Sequence, residues 1–488
     1  MAKLAQALAH HASAAGAQVA MRDGRRSLTR SELAGWVGGV AHDLGPAPET
    51  VGLYGSNSVE WAVAFLAASA AGKTIVPIPV FFSEGQRSHL IRDAGIARVI
   101  LTDGQSSDGF SGSVPVYRLA ERARAGLPAQ ARDGGLIIYT SGSTGNPKGV
   151  RLMSGQALWS SETLAKAIGA SSEDKYLSVL PLPLLLELIC AIMIPVLVGG
   201  SVHYDGVVAQ SVGIGAASNI AEAFDRARPT TSVLVPQLLA LYAGQLAAAG
   251  ARPPAELRFV AVGGAAVPQA LSRTARELGI PVFEGYGLSE CSSVVAVTRP
   301  GAFREGTAGQ PLPGLEVIIE DGEIVVQGPS TMDGYLHGGA APRRWRTGDA
   351  GSLDPDGFLT VYGRLDNLIV TPYGRNLSPE WIETMLVGDP RIGACVMCQA
   401  GEPARLTVLL IPSRLGEGWF RAAAEKEIAA LVSRACEPAP DYACPQRAAV
   451  ISREDASRQG LFTSNGRPRR AEVQRYLQDK VPTFEVQR

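Results

Sequence analysis

Along most of the chain, apolar and polar positions repeat a unit of one short strand followed by one helix. Between residues 25 and 330, short β-branched or apolar runs precede Ala-rich stretches with helical spacing. Residues 51–55 and 73–79 predict strands on either side of the helical stretch SVEWAVAFLAASAAG. The same order returns in SVLVP with QLLALYAGQLAAAG, and in RFVAVGG with VPQALSRTARELG, before PVFEGYG. This rhythm predicts an α/β fold of helix-covered parallel sheets.

The pattern changes near residue 315. Residues 315–328 (LEVIIEDGEIVVQG) place two apolar runs around Asp321-Gly322, a pair typical of a tight hairpin turn, so a β-rich subdomain is expected there. Beyond it, a hairpin-like stretch, the helical PEWIETMLV, the strands ACVMCQA and RLTVLLIP and a long helix over residues 419–436 predict a small α+β domain. We expect a large domain over residues 1–365 and a small mobile C-terminal domain over residues 366–488.

Composition sets limits on the class of protein. A chain of 488 residues exceeds what one hydrophobic core usually organises, so two or more domains are expected. The 45 Lys and Arg balance 46 Asp and Glu, which argues against nucleic acid or an anionic membrane as a partner. The six cysteines are too sparse for a disulfide scaffold, and the N-terminal residues resemble an amphipathic helix, not a signal peptide. A cytoplasmic location is expected.

Two stretches have a more specialised alternative. Residues 177–198 are nearly apolar and about long enough to span a bilayer, but Glu187 and three prolines interrupt them, which favours a buried strand, turn and helix. Cys395 and Cys398 have the CxxC spacing of zinc and redox sites. They lie in the apolar run ACVMC without a second ligand pair, which favours a buried strand. We expect no transmembrane segment.

Residues 139–150, YTSGSTGNPKGV, follow the apolar run GLII and therefore lie where a strand ends. Glycine lets backbone amides approach phosphates closely, hydroxyls can donate to phosphate oxygens, and Lys148 adds a positive charge. The spacing does not match the Walker A sequence. By itself, the stretch predicts either a phosphate loop or an ordinary Gly- and Ser-rich turn.

Three further motifs follow in order: GYGLSE at residues 285–290, RTGD at 346–349 and GRLDNLIVTPYGRNLSPEWIE at 363–383. With residues 139–150, they closely resemble the motifs of the adenylate-forming superfamily of acyl-CoA synthetases, nonribosomal peptide synthetase adenylation domains and luciferases. The resemblance covers essentially the whole chain and is closest to fatty acyl-CoA and acyl-carrier-protein ligases. It implies an acid–thiol ligase that uses ATP and Mg²⁺ to form an acyl-AMP, and then passes the acyl group to a thiol.

The resemblance also assigns roles to single residues. It implies that Glu290 holds the Mg²⁺ ion, that Ser289 donates to the α-phosphate, and that Asp349 accepts hydrogen bonds from both ribose hydroxyls. Tyr286 is expected to stack on adenine. The residues expected to bind ATP or AMP are Thr140, Ser141, Gly142, Ser143, Thr144, Gly145, Lys148, Gly263, Gly264, Ala265, Glu284, Gly285, Tyr286, Gly287, Ser289, Asp349 and Arg364, and the expected catalytic residues are Thr140, Lys148, Glu290 and Arg467.

Two positions are implied to serve the second half-reaction. Asp366 occupies the hinge between the two domains, about which the small domain of the family rotates after adenylation. Gly374 matches a glycine that lines the pantetheine tunnel. Coenzyme A and the phosphopantetheine arm of a carrier protein present the same thiol, so both remain candidate acceptors.

The C-terminal motif departs from the family pattern Pro-x-Thr-x-x-Gly-Lys-x-x-Arg. Residues 461–470, LFTSNGRPRR, keep Thr463, Gly466 and Arg470 but place Arg467 at the lysine position. Arginine keeps the positive charge, but its planar fork does not reproduce a compact ammonium at a crowded phosphate. The alternatives are that Arg467 replaces the lysine, that adenylation is slow, or that the chain is a catalytically weakened acyl-AMP- or nucleotide-binding protein.

Residues 180–187, LPLPLLLE, stand where long-chain acyl-CoA synthetases tend to show LPLxHxxE, with Leu184 in place of the histidine. The resemblance also disfavours an α-amino acid, because no Asp stands where adenylation domains for α-amino acids place the carboxylate that pairs with the substrate ammonium. The apolar residues suggest a fatty or otherwise apolar acid, although they could equally belong to the core. The residues expected to line the acid pocket are Leu184, Leu185, Glu187, Val235, Pro236 and Gly263.

Overall fold

The computed structural model describes residues 2–102, 104–107, 110, 114–119, 126–128, 134–140, 147–213, 218–370, 376–401, 404–463, 468–479 and 481–486. The first elements along the chain are α1 (Ala2–Ala15), β1 (Val19–Arg22), β2 (Ser27–Thr29), α2 (Arg30–Leu44), β3 (Thr50–Tyr54), α3 (Val59–Ala70), β4 (Thr74–Ile78), α4 (Glu84–Asp93), β5 (Arg98–Leu101), β6 (Val116–Arg118), β7 (Gly135–Thr140) and β8 (Lys148–Met153). The next are α5 (Ser154–Ala167), β9 (Lys175–Ser178), α6 (Leu185–Leu188), α7 (Ile194–Val198), β10 (Ser201–Tyr204), α8 (Gly206–Gly213), α9 (Ile220–Ala227), β11 (Thr231–Leu234), α10 (Pro236–Ala249), β12 (Phe259–Val262), α11 (Gln269–Glu277) and β13 (Val282–Tyr286).

The remaining elements contain more strands than helices. They are β14 (Ala296–Val297), β15 (Gln310–Pro311), β16 (Glu316–Glu320), β17 (Glu323–Gln327), β18 (Gly334–Tyr335), β19 (Arg344–Leu353), β20 (Leu359–Arg364), β21 (Ile369–Val370), β22 (Asn376–Leu377), α12 (Pro379–Val387), β23 (Ile392–Ala400), β24 (Arg405–Pro412), α13 (Glu417–Ala422), α14 (Glu425–Ala435), β25 (Arg447–Val450), α15 (Arg453–Arg458), α16 (Arg470–Asp479) and β26 (Phe484–Glu485).

One mainly parallel sheet has the strand order β15-β14-β13-β12-β11-β9-β10-β1-β2. Its strands from β13 to β1 pair in parallel, whereas β14, β15 and β2 pair antiparallel with their neighbours. The TSVL run of β11 is buried at every residue, as expected for a strand covered on both faces. Helices α10 and α11 connect β11 to β12 and β12 to β13. The predicted α/β fold with helix-covered sheets is confirmed.

A second sheet has the order β18-β8-β7-β4-β3-β5-β6. Its strands β7 and β8 are antiparallel, and their last register pair joins Thr140 to Lys148. Helix α3 is buried at every position except Glu60 and belongs to the same hydrophobic core as residues of both sheets. A helix that is apolar on all sides is typical of such an interior position.

A third, antiparallel sheet has the order β16-β17-β19-β20 and forms the β-rich subdomain expected from the sequence. Glu320 and Glu323 pair across the tight turn, where Asp321 and Gly322 have φ angles of 52° and 80°. Asp and Gly adopt this left-handed region at low cost, so the turn residues fix the register of the hairpin.

The C-terminal part has a sheet of its own, in the order β23-β24-β25-β26, and core clusters on both faces of that sheet. Cys395 belongs to one cluster and Cys398 to the other, because residues three apart on a strand point to opposite faces. Both thiols are buried, which confirms the buried strand. The domain boundary at residue 366 stays a prediction.

The prediction of one long helix over residues 419–436 is wrong. The chain forms α13 and α14 there, with Ala423 in an extended conformation between them. The Glu427 side chain accepts a hydrogen bond from the backbone N–H of Ala424 at 2.8 Å, which starts α14 anew. Glu425 and Glu427 in its first turn also favour a helix N-terminus at this point.

Residues 177–198 form a strand, a turn and an irregular helix, as predicted. Between α6 and α7 the backbone adopts a π-helical turn over Ile189–Met193. Pro195 has no N–H with which to bind the carbonyl of Ala191, and the hydroxyl of Tyr204 donates to that oxygen at 2.9 Å instead. Across the described stretches of the chain, we find no helix with the length and apolar content needed to cross a membrane.

Candidate active site

The carboxyl ends of β11, β12 and β13 lie side by side. Parallel register brings Val235, Gly263 and Gly285 to the same edge of the sheet. A Cβ at Gly263 would stand 3.1 Å from the Gly285 oxygen, and Gly264 has a φ of 82°. A small residue is therefore required at the strand end, and Gly264 and Ala265 are exposed beyond it.

Asp349 lies next to this edge, on β19. Its Oδ2 accepts a hydrogen bond of 2.6 Å from the Tyr286 hydroxyl, and its Oδ1 accepts one of 3.1 Å from Arg364. Register across β19 and β20 pairs Asp349 with Arg364, so the subdomain sheet holds both side chains in place. Burial raises the pKa of the Asp349 carboxyl, while Tyr286 and Arg364 oppose that rise. The structure thus brings together three residues that the motifs singled out separately.

Glu290 is held by a residue that the sequence did not indicate. Its Oε1 accepts a hydrogen bond of 2.9 Å from the hydroxyl of Tyr335, and the ring centroid of Tyr335 lies 5.8 Å from Lys148 Nζ. Strand β18 pairs with β8 and so places Tyr335 opposite Val150. Burial and the neighbouring Glu290 raise the pKa of Tyr335, which keeps the phenol protonated and able to donate. Tyr335 thereby links the expected Mg²⁺ ligand to the expected phosphate lysine.

The turn between Gly287 and Glu290 is tightly packed. A Cβ at Gly287 would collide with the Ser293 backbone oxygen at 1.5 Å. Ser292 and Ser293 have φ angles of 52° and 83°, a region in which non-glycine residues are uncommon. Ser160 donates to the Ser292 oxygen at 2.8 Å, so a contact from α5 helps to hold the strained turn. Ser289 begins a short 3₁₀ turn directly before Glu290.

Some predicted residues lie outside the described residues: Ser141, Gly142, Ser143, Thr144, Gly145, Gly374 and Arg467. Thr140 and Lys148, which flank the first group, are described and face each other across β7 and β8.

The carboxylate of Glu284 accepts a hydrogen bond of 2.9 Å from Ser272 on α11. That contact assigns the Glu284 side chain to packing, and its role toward a nucleotide stays a prediction.

The residues predicted for the acid pocket divide into two groups. Leu184 is 39% exposed, and Val235 is half-buried beside Pro236 at the start of α10. Leu185 is buried, and Glu187 is 0% exposed. The pocket roles of these residues, including that of Glu187, stay predictions.

Glu187 faces the core because α6 packs against β9. The hydroxyl of Tyr176 on β9 donates to Glu187 Oε2 at 2.8 Å. Burial raises the pKa of the Glu187 carboxyl to about 8, so it is mostly protonated at neutral pH. A neutral carboxyl with a hydrogen-bond partner is the form that an apolar interior tolerates.

The hinge region joins the subdomain to the C-terminal part. Asp366 lies in a short 3₁₀ turn, and Ser378 donates to the Tyr362 backbone oxygen at 2.6 Å across it. A Cβ at Gly363 would meet Ser378 Oγ at 2.4 Å, so the two parts are in close contact at this point. The hinge role of Asp366 stays a prediction.

Arg470 anchors the end of the C-terminal motif. Its guanidinium donates to Glu383 Oε2 at 3.1 Å and to the Met397 oxygen at 2.7 Å, and it forms a weaker pair with Glu380. Burial raises the pKa of Glu383, and Arg470 opposes the rise. The ion pair holds the start of α16 against α12 and β23.

The sheets and motif residues together point to the class of AMP-forming acid–thiol ligases. The family described as AMP-binding enzyme matches residues 8–336, and the chain belongs to that family. The prediction of the adenylate-forming superfamily and the prediction of an acid–thiol ligase are confirmed.

Several proteins with known names are similar to the chain. The 2-succinylbenzoate–CoA ligase of Bacillus pumilus is 29% identical over 367 residues, covering 70% of this chain and 72% of that protein. The long-chain-fatty-acid–CoA ligase FadD15 of Mycobacterium bovis is 27% identical over 453 residues, covering 76% and 74%. The structure of O-succinylbenzoate CoA synthetase (MenE) from Bacillus subtilis in complex with AMP matches with a TM-score of 0.80 at 23% identity, covering 96% of this chain and 97% of that one. The fold of the chain is therefore that of these synthetases.

Proposed function

We propose that this enzyme uses ATP to activate an apolar carboxylic acid as an acyl-AMP, and then transfers the acyl group to the thiol of coenzyme A or of a carrier-protein phosphopantetheine. The observation that carries the proposal is the cluster of Asp349, Tyr286 and Arg364 at the sheet edge. Glu290, Tyr335 and Lys148 form a second cluster, at the end of β8. Adenylation requires a group that accepts hydrogen bonds from the ribose hydroxyls, and a site that binds the phosphates.

In the first half-reaction, a substrate carboxylate oxygen attacks the α-phosphorus, the bond to the β-phosphate breaks, and pyrophosphate leaves. Two anions must approach each other, so cations and donors fixed in advance lower the barrier. Lys148 would neutralise phosphate charge, and Glu290 would hold Mg²⁺ together with phosphate oxygens. The fit is good because Glu290 is a partly exposed carboxylate, a donor that this hard cation prefers. MenE has also been solved with ATP and a magnesium ion.

In the second half-reaction, the thiol loses its proton to solvent and its sulfur bonds to the acyl carbon, and AMP leaves with the electron pair of the broken acyl–oxygen bond. The acid is proposed to be apolar because Val235 and Pro236 lie beside the sheet edge, and because the apolar Leu184 is exposed. The named relatives act on 2-succinylbenzoate and on long-chain fatty acids. We propose an aromatic or fatty acid as the substrate.

Acid-dependent exchange of pyrophosphate into ATP tests the first step. A panel of fatty, aromatic and α-amino acids should give exchange with apolar members and none with amino acids. Mass spectrometry of products formed with coenzyme A or a loaded carrier protein then identifies the acceptor. ATP binding without exchange across the whole panel would favour the catalytically weakened binding protein instead.

A further inference from the structure

Helix α4 packs against the strands on which the predicted phosphate residues lie. It begins at a capping box formed by Ser83 and Gln86, and its buried residues Leu90 and Ile91 belong to the core of the second sheet. The helix is thus anchored at its start and along one face. Its two remaining side chains of interest, His89 and Asp93, are four residues apart and therefore lie on the same side of the helix.

Asp93 binds the residue that precedes Thr140. The Tyr139 hydroxyl donates to Asp93 Oδ2 at 2.6 Å, and Tyr139 is only 9% exposed. The other carboxylate oxygen, Oδ1, lies 3.0 Å from Nε2 of His337, two residues beyond Tyr335. One carboxylate on α4 therefore contacts both the end of β7 and the turn that follows β18, the strand that carries the partner of Glu290.

His89 binds the residue that precedes Lys148. Its Nε2 lies 3.3 Å from the backbone oxygen of the buried Pro147. The imidazole also packs edge-on against the Tyr139 ring, with 6.3 Å between the ring centroids. Proline has no N–H, so the carbonyl is the only backbone group through which this position can be held by a hydrogen bond.

The two contacts fall beside the last register pair of β7 and β8. Tyr139 and Pro147 are the immediate neighbours of Thr140 and Lys148, which form the last register pair of the two strands. A shift of α4 would therefore displace Tyr139 and Pro147 together, and with them Thr140 and Lys148. Two separate contacts of this kind fix geometry, and misplacement by about 1 Å is costly in an active site.

We propose that His89 and Asp93 of α4 are positioning residues that hold Thr140 and Lys148 in place for the phosphates of ATP. The inference deepens the proposed function and rests on it. Neither side chain touches the nucleotide in this scheme. Both act through Tyr139 and Pro147, and so they affect the binding of ATP more than the binding of the acid.

The test compares variants that remove a contact with variants that preserve it. Tyr139→Phe and His89→Leu remove one hydrogen bond each, while His89→Gln keeps a donor and Asp93→Asn keeps an acceptor. Calorimetry with MgATP gives the dissociation constant, pyrophosphate exchange gives KM for ATP and for the acid, and thermal unfolding shows whether the fold is intact. Tyr117→Phe is the matched control: Tyr117 lies on β6, at the far edge of the same sheet, and the substitution removes a hydroxyl that donates to Asp43.

We expect Tyr139→Phe and His89→Leu to raise the dissociation constant of MgATP and its KM by about tenfold, the effect of one lost hydrogen bond to a fixed group. KM for the acid should stay within about twofold, and His89→Gln and Asp93→Asn should recover most of the affinity. Unchanged MgATP affinity in all four variants, or a loss in the Tyr117→Phe control of equal size, would overturn the inference. A wild-type enzyme that does not bind MgATP would instead remove the proposed function, and the inference with it, before any variant is compared.

Discussion

Asp349 illustrates how neighbouring groups set the state of one carboxylate. Burial raises its pKa, but Tyr286 and Arg364 each donate a hydrogen bond that favours the charged form. A charged carboxylate has lone pairs beyond those that two donors occupy, and these can accept from a diol. The residue is therefore suited to ribose because its neighbours favour the charged form while leaving acceptor capacity.

Asp349→Asn tests this role with little change of shape. The amide would present N–H groups to Arg364 or to a ribose hydroxyl, so we expect acid-dependent pyrophosphate exchange to fall by about 100-fold, the loss of about two charge-assisted hydrogen bonds. Asp349→Ala should remove activity altogether. Asp321→Asn is the control, because it changes the same side chain in an exposed hairpin turn where Asn-Gly is equally favourable. Exchange within threefold of the wild-type rate in Asp349→Asn would contradict the assignment.

Glu187 predicts a dependence of stability on pH that is opposite to that of most carboxyl groups. Its pKa rises from 4.5 to about 8 in the folded state, so the folded protein binds the proton more tightly than the unfolded chain. Its contribution to the free energy of unfolding is complete below pH 4.5 and is lost as pH rises toward 8.

The variant Glu187→Gln is a neutral isostere that keeps an acceptor for Tyr176. We expect its free energy of unfolding, relative to wild type, to increase between pH 5 and pH 9 by up to a few kcal/mol, on the order of 1.4 kcal/mol per unit of pKa shift. Denaturant titrations of both proteins across that range provide the measurement. A difference that does not vary with pH would show that Glu187 titrates in the folded state as it does in the unfolded chain.

Among the elements, the helical stretch of residues 185–198 depends on a side chain of the strand that directly follows it. The backbone carbonyl of Ala191 receives no helical hydrogen bond from Pro195, because proline has no N–H. The hydroxyl of Tyr204 on β10 donates to this carbonyl instead. Because Tyr204 is only 1% exposed, water cannot replace the lost donor. The irregular turn is thus a property of the helix and strand together.

We expect Tyr204→Phe to lower the free energy of unfolding by about 1–3 kcal/mol, because it leaves a buried carbonyl without a donor. Tyr362→Phe serves as control: its hydroxyl binds Ser352 at the surface, and its loss should cost no more than about 0.5 kcal/mol. Urea unfolding followed by circular dichroism compares the two. Equal effects would mean that Ala191 finds another donor.

Elements with strong local signals could be predicted from the sequence. Periodicity located β11, α10, β12 and α12, and Asp321-Gly322 fixed a turn. The break between α13 and α14 could not be predicted from the sequence, because Ala423 and Ala424 are good helix formers. The interruption depends on the hydrogen bond from the backbone N–H of Ala424 to the Glu427 side chain. Local propensity does not record such side-chain contacts.

The residues of the candidate site also divide into those that the sequence predicts and those that it does not. Motif spacing singled out Asp349, Tyr286 and Arg364, and the fold brings them into contact. Tyr335 could not be predicted as a site residue, because it is the pairing of β18 with β8 that places it beside Glu290. Pairing between strands so far apart in the sequence produces no periodic pattern of residues. The burial of Glu187 could not be predicted for a related reason: a matching motif position does not determine which way a side chain points.

At the scale of the whole molecule, two half-reactions are proposed to share one site. Arg467 belongs to the first if it replaces the usual lysine. We expect Arg467→Ala to lower the rate of pyrophosphate exchange more than the rate of thiol transfer from preformed acyl-AMP, because the side chain is proposed to act at the phosphate. Single-turnover assays of each step give the two rates. Equal losses in both steps would contradict this assignment, and Arg469→Ala in the same basic run is the control.

All six cysteines have buried side chains. Cys190 and Cys291 lie in the part of the chain that carries the large sheets, while Cys395, Cys398, Cys436 and Cys444 lie in the C-terminal part. A thiol reagent can reach any of them only when the surrounding packing opens, so the rate of alkylation at each cysteine measures local opening. The native cysteines therefore report on the opening of both parts, and no cysteine has to be introduced by mutation. Mass spectrometry of alkylated peptides can tell whether those parts unfold as one unit or in succession.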